Sequence, residues 1–294
     1  MGIEKNGAAI CSVCKAVASN SNLKIRSKRQ SWMISCTECD HVFDENQNVS
    51  AEYNSNTQQK SVMEKYTVAK LHLKLDDDGS IKNGSQYGEV FGKRLGSFKD
   101  YIEGFSSGAF VSQERKPRML DIGLGASGSL RYFADLGFDV YGIDTDPVAL
   151  EFQKELCPEA HLKEGFFPDV HFEEKVDVVV AFHVLEHIPD PPKFMKVIRR
   201  ICAEPAMLLF EVPNLINTRN AEQDFRTWNM WGASGVHLQH YSPRSMAISL
   251  ALGGWSILNY HQPLDLEREV MTGAAISGHQ DSTKRSAWSL VMQQ

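Results

Sequence analysis

Ten residues constrain this chain more than any others: Met119-Leu120-Asp121-Ile122-Gly123-Leu124-Gly125-Ala126-Ser127-Gly128. An apolar strand end runs into glycines spaced G-x-G-x-x-G, and Ser129 to Leu136 then read as a helix. Glycines between a strand and a helix let the backbone approach a ligand closely and aim free helix N–H groups at it. From Pro117 onward strands alternate with helices, the pattern of a parallel α/β sheet. Arg118 to Ile122 reads as the first strand, Asp139 to Ile143 as the second, Val176 to Phe182 as the fourth and Ala206 to Val212 as the fifth. The fourth is an apolar run suited to burial on both faces. Asp190 then stands as the N-cap of a helix with Pro191 near its first position and an apolar stripe of Phe194, Val197, Ile198 and Ile201. Trp255–Tyr260 and Ala287–Met292 suit an antiparallel hairpin at the sheet edge.

The N-terminal region has a different grammar. Four of the six cysteines form two C-x2-C pairs, Cys11/Cys14 and Cys36/Cys39. Two such pairs in a reducing compartment point to a metal before a disulfide. The 21 intervening residues hold two strand-like stretches, Leu23-Lys24-Ile25 and Trp32-Met33-Ile34, and His41-Val42-Phe43 continues as a third. Residues 1–45 therefore read as a zinc ribbon in which Cys11, Cys14, Cys36 and Cys39 close a structural four-thiolate site. Lys15 and Asp40 follow the pairs where ribbons usually carry glycine. Cys157 and Cys202 read as inert buried thiols.

Residues 46–115 read as a linker followed by helices. An Asn-, Gln- and Ser-rich run (46–60) precedes a first helix marked by Met63, Tyr66, Ala69 and Leu73. Tyr87, Val90, Phe91, Leu95, Phe98, Tyr101, Ile102 and Phe105 then recur at spacings of three and four. This helix either packs on the following domain or forms a lid over a cleft. Residues 116–294 complete the α/β domain. At 294 residues and 42% hydrophobic content, one or two domains with an ample core are expected. The net charge of −6 does not advertise nucleic-acid binding. No apolar run reaches membrane-spanning length and the start carries no secretory h-region, so a cytoplasmic location is expected.

Asp121 narrows the ligand. A carboxylate two residues before the first glycine is poorly placed against a diphosphate but well placed for an amine and a sulfonium cation. S-adenosylmethionine carries both and no phosphate. Asp144, 21 residues after Gly123, can accept ribose hydroxyls, with Thr145 beside it. Asp121-x-Gly123-x-Gly125 with Asp144 resembles the first two motifs of class I S-adenosylmethionine-dependent methyltransferases. Phe182-His183-Val184-Leu185-Glu186-His187-Ile188-Pro189-Asp190-Pro191 resembles the post-strand-four signature of their ubiquinone- and small-molecule-methylating branch. Glu211-Val212-Pro213-Asn214 and His237-Leu238-Gln239-His240-Tyr241-Ser242 resemble two later motifs.

The resemblance implies an α/β fold: a Rossmann-like seven-stranded sheet with its last strand antiparallel, a small N-terminal zinc ribbon and a helical lid segment. It implies Asp121, Gly123, Gly125 and Gly128 around the methionine part of the cofactor and Asp144 and Thr145 at the ribose. Gly165 and Phe166 would lie by the adenine, with Phe182 and His183 at the methyl end. His183, His187, His237 and His240, with Tyr241, are the candidates for acid–base or acceptor-orienting work. A small or carrier-linked acceptor, methylated on O or C, is expected for a monomer or homodimer. The alternative is an RNA base methyltransferase using the ribbon for RNA contact; the net charge and the lack of an Asn/Asp-Pro-Pro-Tyr/Phe motif count against it. A dinucleotide oxidoreductase is disfavoured by Asp121, and a non-enzymatic ribbon adaptor by the intact glycines.

Overall fold

The structure, a computed structural model, describes residues 9–18, 24–26, 32–45, 95–96, 98–108, 115–213, 237–261 and 270–277. Five short strands open the chain: β1 (Ala9–Ile10), β2 (Val17–Ala18), β3 (Lys24–Arg26), β4 (Trp32–Ser35) and β5 (Val42–Asp44). The α/β part follows as α1 (Lys99–Ser106), β6 (Arg118–Ile122), α2 (Ser129–Asp135), β7 (Asp139–Asp144), α3 (Pro147–Leu156), β8 (His161–Glu164) and β9 (Val176–Phe182). A 3-10 turn at Leu185–His187 leads into α4 (Pro191–Ile201) and β10 (Cys202–Pro213). After the two-residue β11 (Gln239–His240) come α5 (Pro243–Leu252), β12 (Ser256–His261) and β13 (Val270–Ser277).

Seven strands form one sheet in the order β12-β13-β10-β9-β6-β7-β8. The β6, β7, β8, β9 and β10 pairings are parallel, and β13 runs antiparallel to both of its neighbours. The two inner strands β6 and β9 match the apolar runs of the sequence, and Asp190 caps α4 by accepting from the Lys193 N–H with Pro191 opening the helix. One expectation is corrected. The antiparallel partner of β12 is Val270–Ser277, which lies between β10 and β12 rather than at the edge; Ala287–Met292 lies outside the described residues. The physical reason is steric. A Cβ on Gly273 would sit 2.4 Å from the Phe210 ring tip, so β13 needs a small residue under Phe210 and reads weakly as a strand.

Both faces of the sheet are covered. On one, Leu95, Phe98, Ile102 and Phe105 pack with Leu130, Phe133, Met119 and Val178. The described part of the amphipathic helix is thus a layer of the core; Tyr87, Val90 and Phe91, with the expected helix at Met63–Leu73 and the linker, lie outside the described residues. On the other face, α4 and α5 share a core with the cysteine region: Cys11, Cys36, Cys39 and Phe43 join Leu120, Ile122, Leu185, Met195 and Tyr241. Backbone pairing makes the join explicit, because β11 is a strand of the N-terminal sheet, in the order β11-β5-β4-β3. Among the described residues no helix is long and apolar enough to cross a membrane.

Candidate active site

The glycine loop turns at the carboxyl end of β6. Gly123 and Gly125 take φ of +68° and +49°, in the left-handed region that side-chain-bearing residues avoid. Their amides are tied to the next strand, Gly123 N–H to the Ile143 carbonyl (2.8 Å) and Gly125 N–H to Asp144 Oδ2 (2.9 Å). Asp144 Oδ1 accepts from the Asp146 N–H at 2.9 Å, and the Thr145 amide also bonds the carboxylate. Gln153 braces the loop by donating to the carbonyls of Gly125 (2.9 Å) and Ser127 (2.6 Å). That residue was missed from the sequence; a glutamine on the buried side of α3, beside Phe152 and Leu156, was the available signal.

Asp121 is 2% exposed and accepts from the hydroxyls of Ser129 and Ser127. Burial pushes its carboxyl up to about 7, against the lowering effect of both serines. Burial also raises Asp144, with the Gly125 and Asp146 amides acting in the opposite sense. Gly128 caps α2, Thr145 is exposed after β7, and Gly165 follows β8 with its N–H on the Asp144 carbonyl at 2.9 Å. Phe166 is 50% exposed and Phe182 half-buried. All these positions gather at the carboxyl ends of β6 to β9, where open α/β sheets hold their ligands.

A histidine and carboxylate cluster stands beside the loop. A Cβ on Gly123 would lie 2.7 Å from Val184 Cγ2, so the segment after β9 touches the glycine turn directly. His183 adopts φ +56°, donates its N–H to the Glu211 carbonyl (2.8 Å), and sets its ring between two buried carboxylates. Nδ1 lies 3.3 Å from Glu186 Oε1 and Nε2 2.9 Å from Glu211 Oε1. Burial acts to lower the His183 pKa, but the bonds and charges of Glu186 and Glu211 outweigh it and raise it to about 9. Glu211 also accepts from Thr272 Oγ1 at 2.8 Å. In the sequence Glu211 is marked only as an acidic residue near the end of the buried run of β10, with nothing local to pair it with His183.

Around this ion pair lie the other histidines. His187 and His237 meet edge to face with ring centres 5.0 Å apart, and ligand atoms of Glu186, His187 and His237 all lie within 4.8 Å of one another, close enough for a cation to bridge them. Burial lowers His237 to about 4, and its Nδ1 has no hydrogen-bond partner among the described residues. His240, 6.1 Å from His237 between ring centres, is 1% exposed and lowered by burial. Tyr241 is fully buried, donates to the Leu185 carbonyl (2.9 Å), and is raised by that burial. His183 is thus exposed and His187 and His237 are partly so, while His240 and Tyr241 are buried. The aromatic-rich Trp228–Gly232 stretch lies outside the described residues.

The four cysteines converge as the spacing requires. Their sulfurs lie within 4.8 Å of one another, with Cys11–Cys39 and Cys14–Cys36 at 3.6 Å. A tetrahedral zinc with Zn–S bonds of ~2.3 Å separates its sulfurs by ~3.8 Å, so the donor set fits that ion. The hydrogen bond from Cys39 lowers Cys11 to about 4, while burial raises Cys36 to about 11 and Cys39 is raised by its bond to Cys11. Only a cation would let all four ionise together. Lys15 and Asp40 do what glycine usually does here, taking φ of +62° and +58° and returning their N–H groups to Cys11 and Cys36. Cys157 and Cys202 are buried and pushed up to about 12 by burial.

A family model described as a methyltransferase domain matches residues 98–259. The chain belongs to this methyltransferase family. It is a class I S-adenosylmethionine-dependent methyltransferase, and the match begins just before α1. A ubiquinone biosynthesis O-methyltransferase of Rhodopseudomonas palustris (strain BisB5) is 34% identical over 82 residues, 26% of this chain and 32% of the relative. The match therefore spans about a third of that protein's length. Among solved structures, magnesium protoporphyrin IX methyltransferase of Synechocystis PCC 6803, with bound S-adenosylhomocysteine, is similar with a TM-score of 0.51 at 12% identity, covering 76% of this methyltransferase and 96% of that chain. A structure assigned as a sarcosine dimethylglycine methyltransferase from Galdieria sulphuraria scores 0.53 at 13% identity, covering 74% and 98%. Both likenesses concern the fold.

Proposed function

We propose that this methyltransferase moves the methyl group of S-adenosylmethionine to an oxygen or carbon of a small or carrier-linked metabolite. The observation that carries the reading is the exposed His183 ring set between the buried carboxylates of Glu186 and Glu211, in contact through Val184 with the Gly123 turn. The loop residues Asp121, Gly123, Gly125 and Gly128 hold the methionine part, Asp144 and Thr145 the ribose, and Gly165 and Phe166 the adenine. Phe182 and His183 stand at the methyl end. The sulfonium is an activated leaving group, so alignment of the acceptor and exclusion of water supply most of the rate.

His183, held protonated with its two ring nitrogens on Glu186 and Glu211, fixes those carboxylates at the methyl end and orients the acceptor through the wall that they form together. His237 is neutral at pH 7 and is the candidate to take a proton leaving the acceptor, with Glu186 placed to stabilise the imidazolium that forms. His187 lies within reach of both. The curated relative's O-methyltransferase activity supports oxygen as the acceptor atom. RNA methylation is less well supported: Lys15, one of the basic residues of the N-terminal region, is engaged with Asp190 (3.2 Å) and the Ser12 carbonyl. Zinc on Cys11, Cys14, Cys36 and Cys39 is structural, since four protein thiolates leave no open position.

Incubation of host metabolite extracts and total RNA with the enzyme and isotopically labelled S-adenosylmethionine, read by mass spectrometry, tests the assignment. Label in a low-molecular-weight product is expected. Label confined to RNA would overturn it.

A further inference from the structure

We infer that the four-cysteine module is a positioning element of the histidine cluster, with His41 and Gln239 as the residues that couple them. The inference rests on the acceptor-side reading of His187 and His237 given above. Its starting point is a single backbone seam. The Leu238 carbonyl accepts from the Asp44 N–H of the cysteine module at 2.9 Å, and the Leu238 N–H donates to the Glu186 carbonyl at 2.7 Å. One residue is therefore bonded on one side to the module and on the other to the loop that carries Glu186 and His187. His237 immediately precedes it.

Side chains reinforce the seam. Gln239 Oε1 accepts from Ser12 Oγ (2.7 Å), inside the first cysteine turn, and from His41 Nε2 (2.8 Å), two residues after Cys39. The same amide donates from Nε2 to the Pro189 carbonyl at 3.3 Å. His41 also meets Ser245 Oγ at 3.3 Å, at the start of α5, and the Tyr241 ring at 5.0 Å. Tyr241 in turn holds the Leu185 carbonyl. The loop from Leu185 to Pro189 is thus hung from three residues of the 238–241 segment, whose own pairing partner is β5 of the module. Gln239 and His41 are wholly buried, so their bonds are not exchanged for water.

The donor side is built otherwise. The glycine loop is anchored by Ile143, Asp144 and Gln153, none of which touches this seam through the bonds described. Disturbing the module should therefore alter acceptor handling and leave cofactor affinity in place. His41 acts through Gln239 and Leu238 and is a positioning residue.

The test uses the full-length, zinc-loaded chain and needs no acceptor. In His41→Ala, the ring nitrogen signals of His187 and His237 should move and amide exchange at Leu238 and Asp44 should rise at least tenfold. S-adenosylhomocysteine affinity should stay within about twofold and zinc content should be unchanged. His41→Gln, whose amide N–H can take the place of Nε2, should restore the histidine signals, and Ser12→Ala should displace them in the same sense but less. Once an acceptor is known, His41→Ala should lower kcat/KM for it and not for S-adenosylmethionine. Unmoved histidine signals in His41→Ala would overturn the inference. So would joint loss of zinc and cofactor affinity in both His41 variants, which would make the residue a general support. Failure of the unmodified protein to bind S-adenosylhomocysteine would instead sink the functional reading beneath it.

Discussion

Lowering the pH from 8 to 5 should weaken S-adenosylmethionine binding through one buried carboxylate. Asp121 is 2% exposed, and burial raises its pKa to about 7 in the free protein. A bound sulfonium and ammonium would favour the ionised form and lower that pKa in the complex. Binding is then strongest above pH 7 and falls as protons compete. Each unit below the free pKa costs up to tenfold, or ~1.4 kcal/mol, until the pKa of the complex is reached. Roughly tenfold weaker binding at pH 6 and up to about a hundredfold at pH 5 are expected. The same carboxylate taxes the free fold. Its pKa is raised over the unfolded value of 3.8, so stability falls as pH climbs through that window, by about 4 kcal/mol once pH exceeds 7. Asp121→Asn should therefore melt higher than the parent at pH 8 while binding the donor more weakly and with a flat pH profile. Titration calorimetry across pH 5 to 8.5, paired with thermal unfolding, reads both. A wild-type affinity that does not change between pH 8 and 6, or an equal slope in the Asn variant, would refute the reasoning.

Three further outcomes follow from the geometry. Gly123→Ala puts a Cβ 2.7 Å from Val184 at φ +68°, so a stability loss of about 1–3 kcal/mol and weaker donor binding are expected from melting and titration. Glu211→Gln removes one of the two carboxylates that hold His183 near 9, and the ring should titrate at lower pH by NMR; an unmoved titration would mean Glu186 alone sets it. In the parent, the stability drawn from that raised pKa is full below the unfolded value of 6.5 and is lost as pH rises through about 9. Cys36→Ser should empty the metal site by elemental analysis and lower the melting of the whole chain in one transition, because the cysteines share a core with Leu185 and Tyr241. A separate early transition for the N-terminal region would show that the two parts melt independently.

Much of the fold was legible because local patterns carry it. β6 lies between Pro117 and Gly123, β9 is a mainly apolar run, and α4 is announced by its Asp-Pro cap. β13 was misplaced because packing beneath Phe210 selects small residues that weaken the strand pattern. β11 was invisible as a strand, since its partner β5 lies nearly two hundred residues away and two residues show no periodicity. In the candidate site, the glycine loop, Asp144 and the histidines were readable as motifs. Glu211 as a partner of His183 was not, because nothing local links the end of β10 to the residue after β9.

The sequence by itself pointed to the methyl donor and brought out the four cysteines that the fold gathers. Loop geometry needs glycine at fixed spacing, and four thiolates on one ion need paired turns, so both are written in short stretches of chain. Tertiary structure alone decided the protonation of the histidines and the union of the two parts. A pKa depends on which charges burial brings within a few ångströms, and here His183 is raised while His237 is lowered by surroundings drawn from three distant segments. The Gly123 loop that constrains the chain most is held by its neighbouring strand, through Ile143 and Asp144. The face opposite it is assembled by a strand that belongs to the cysteine module.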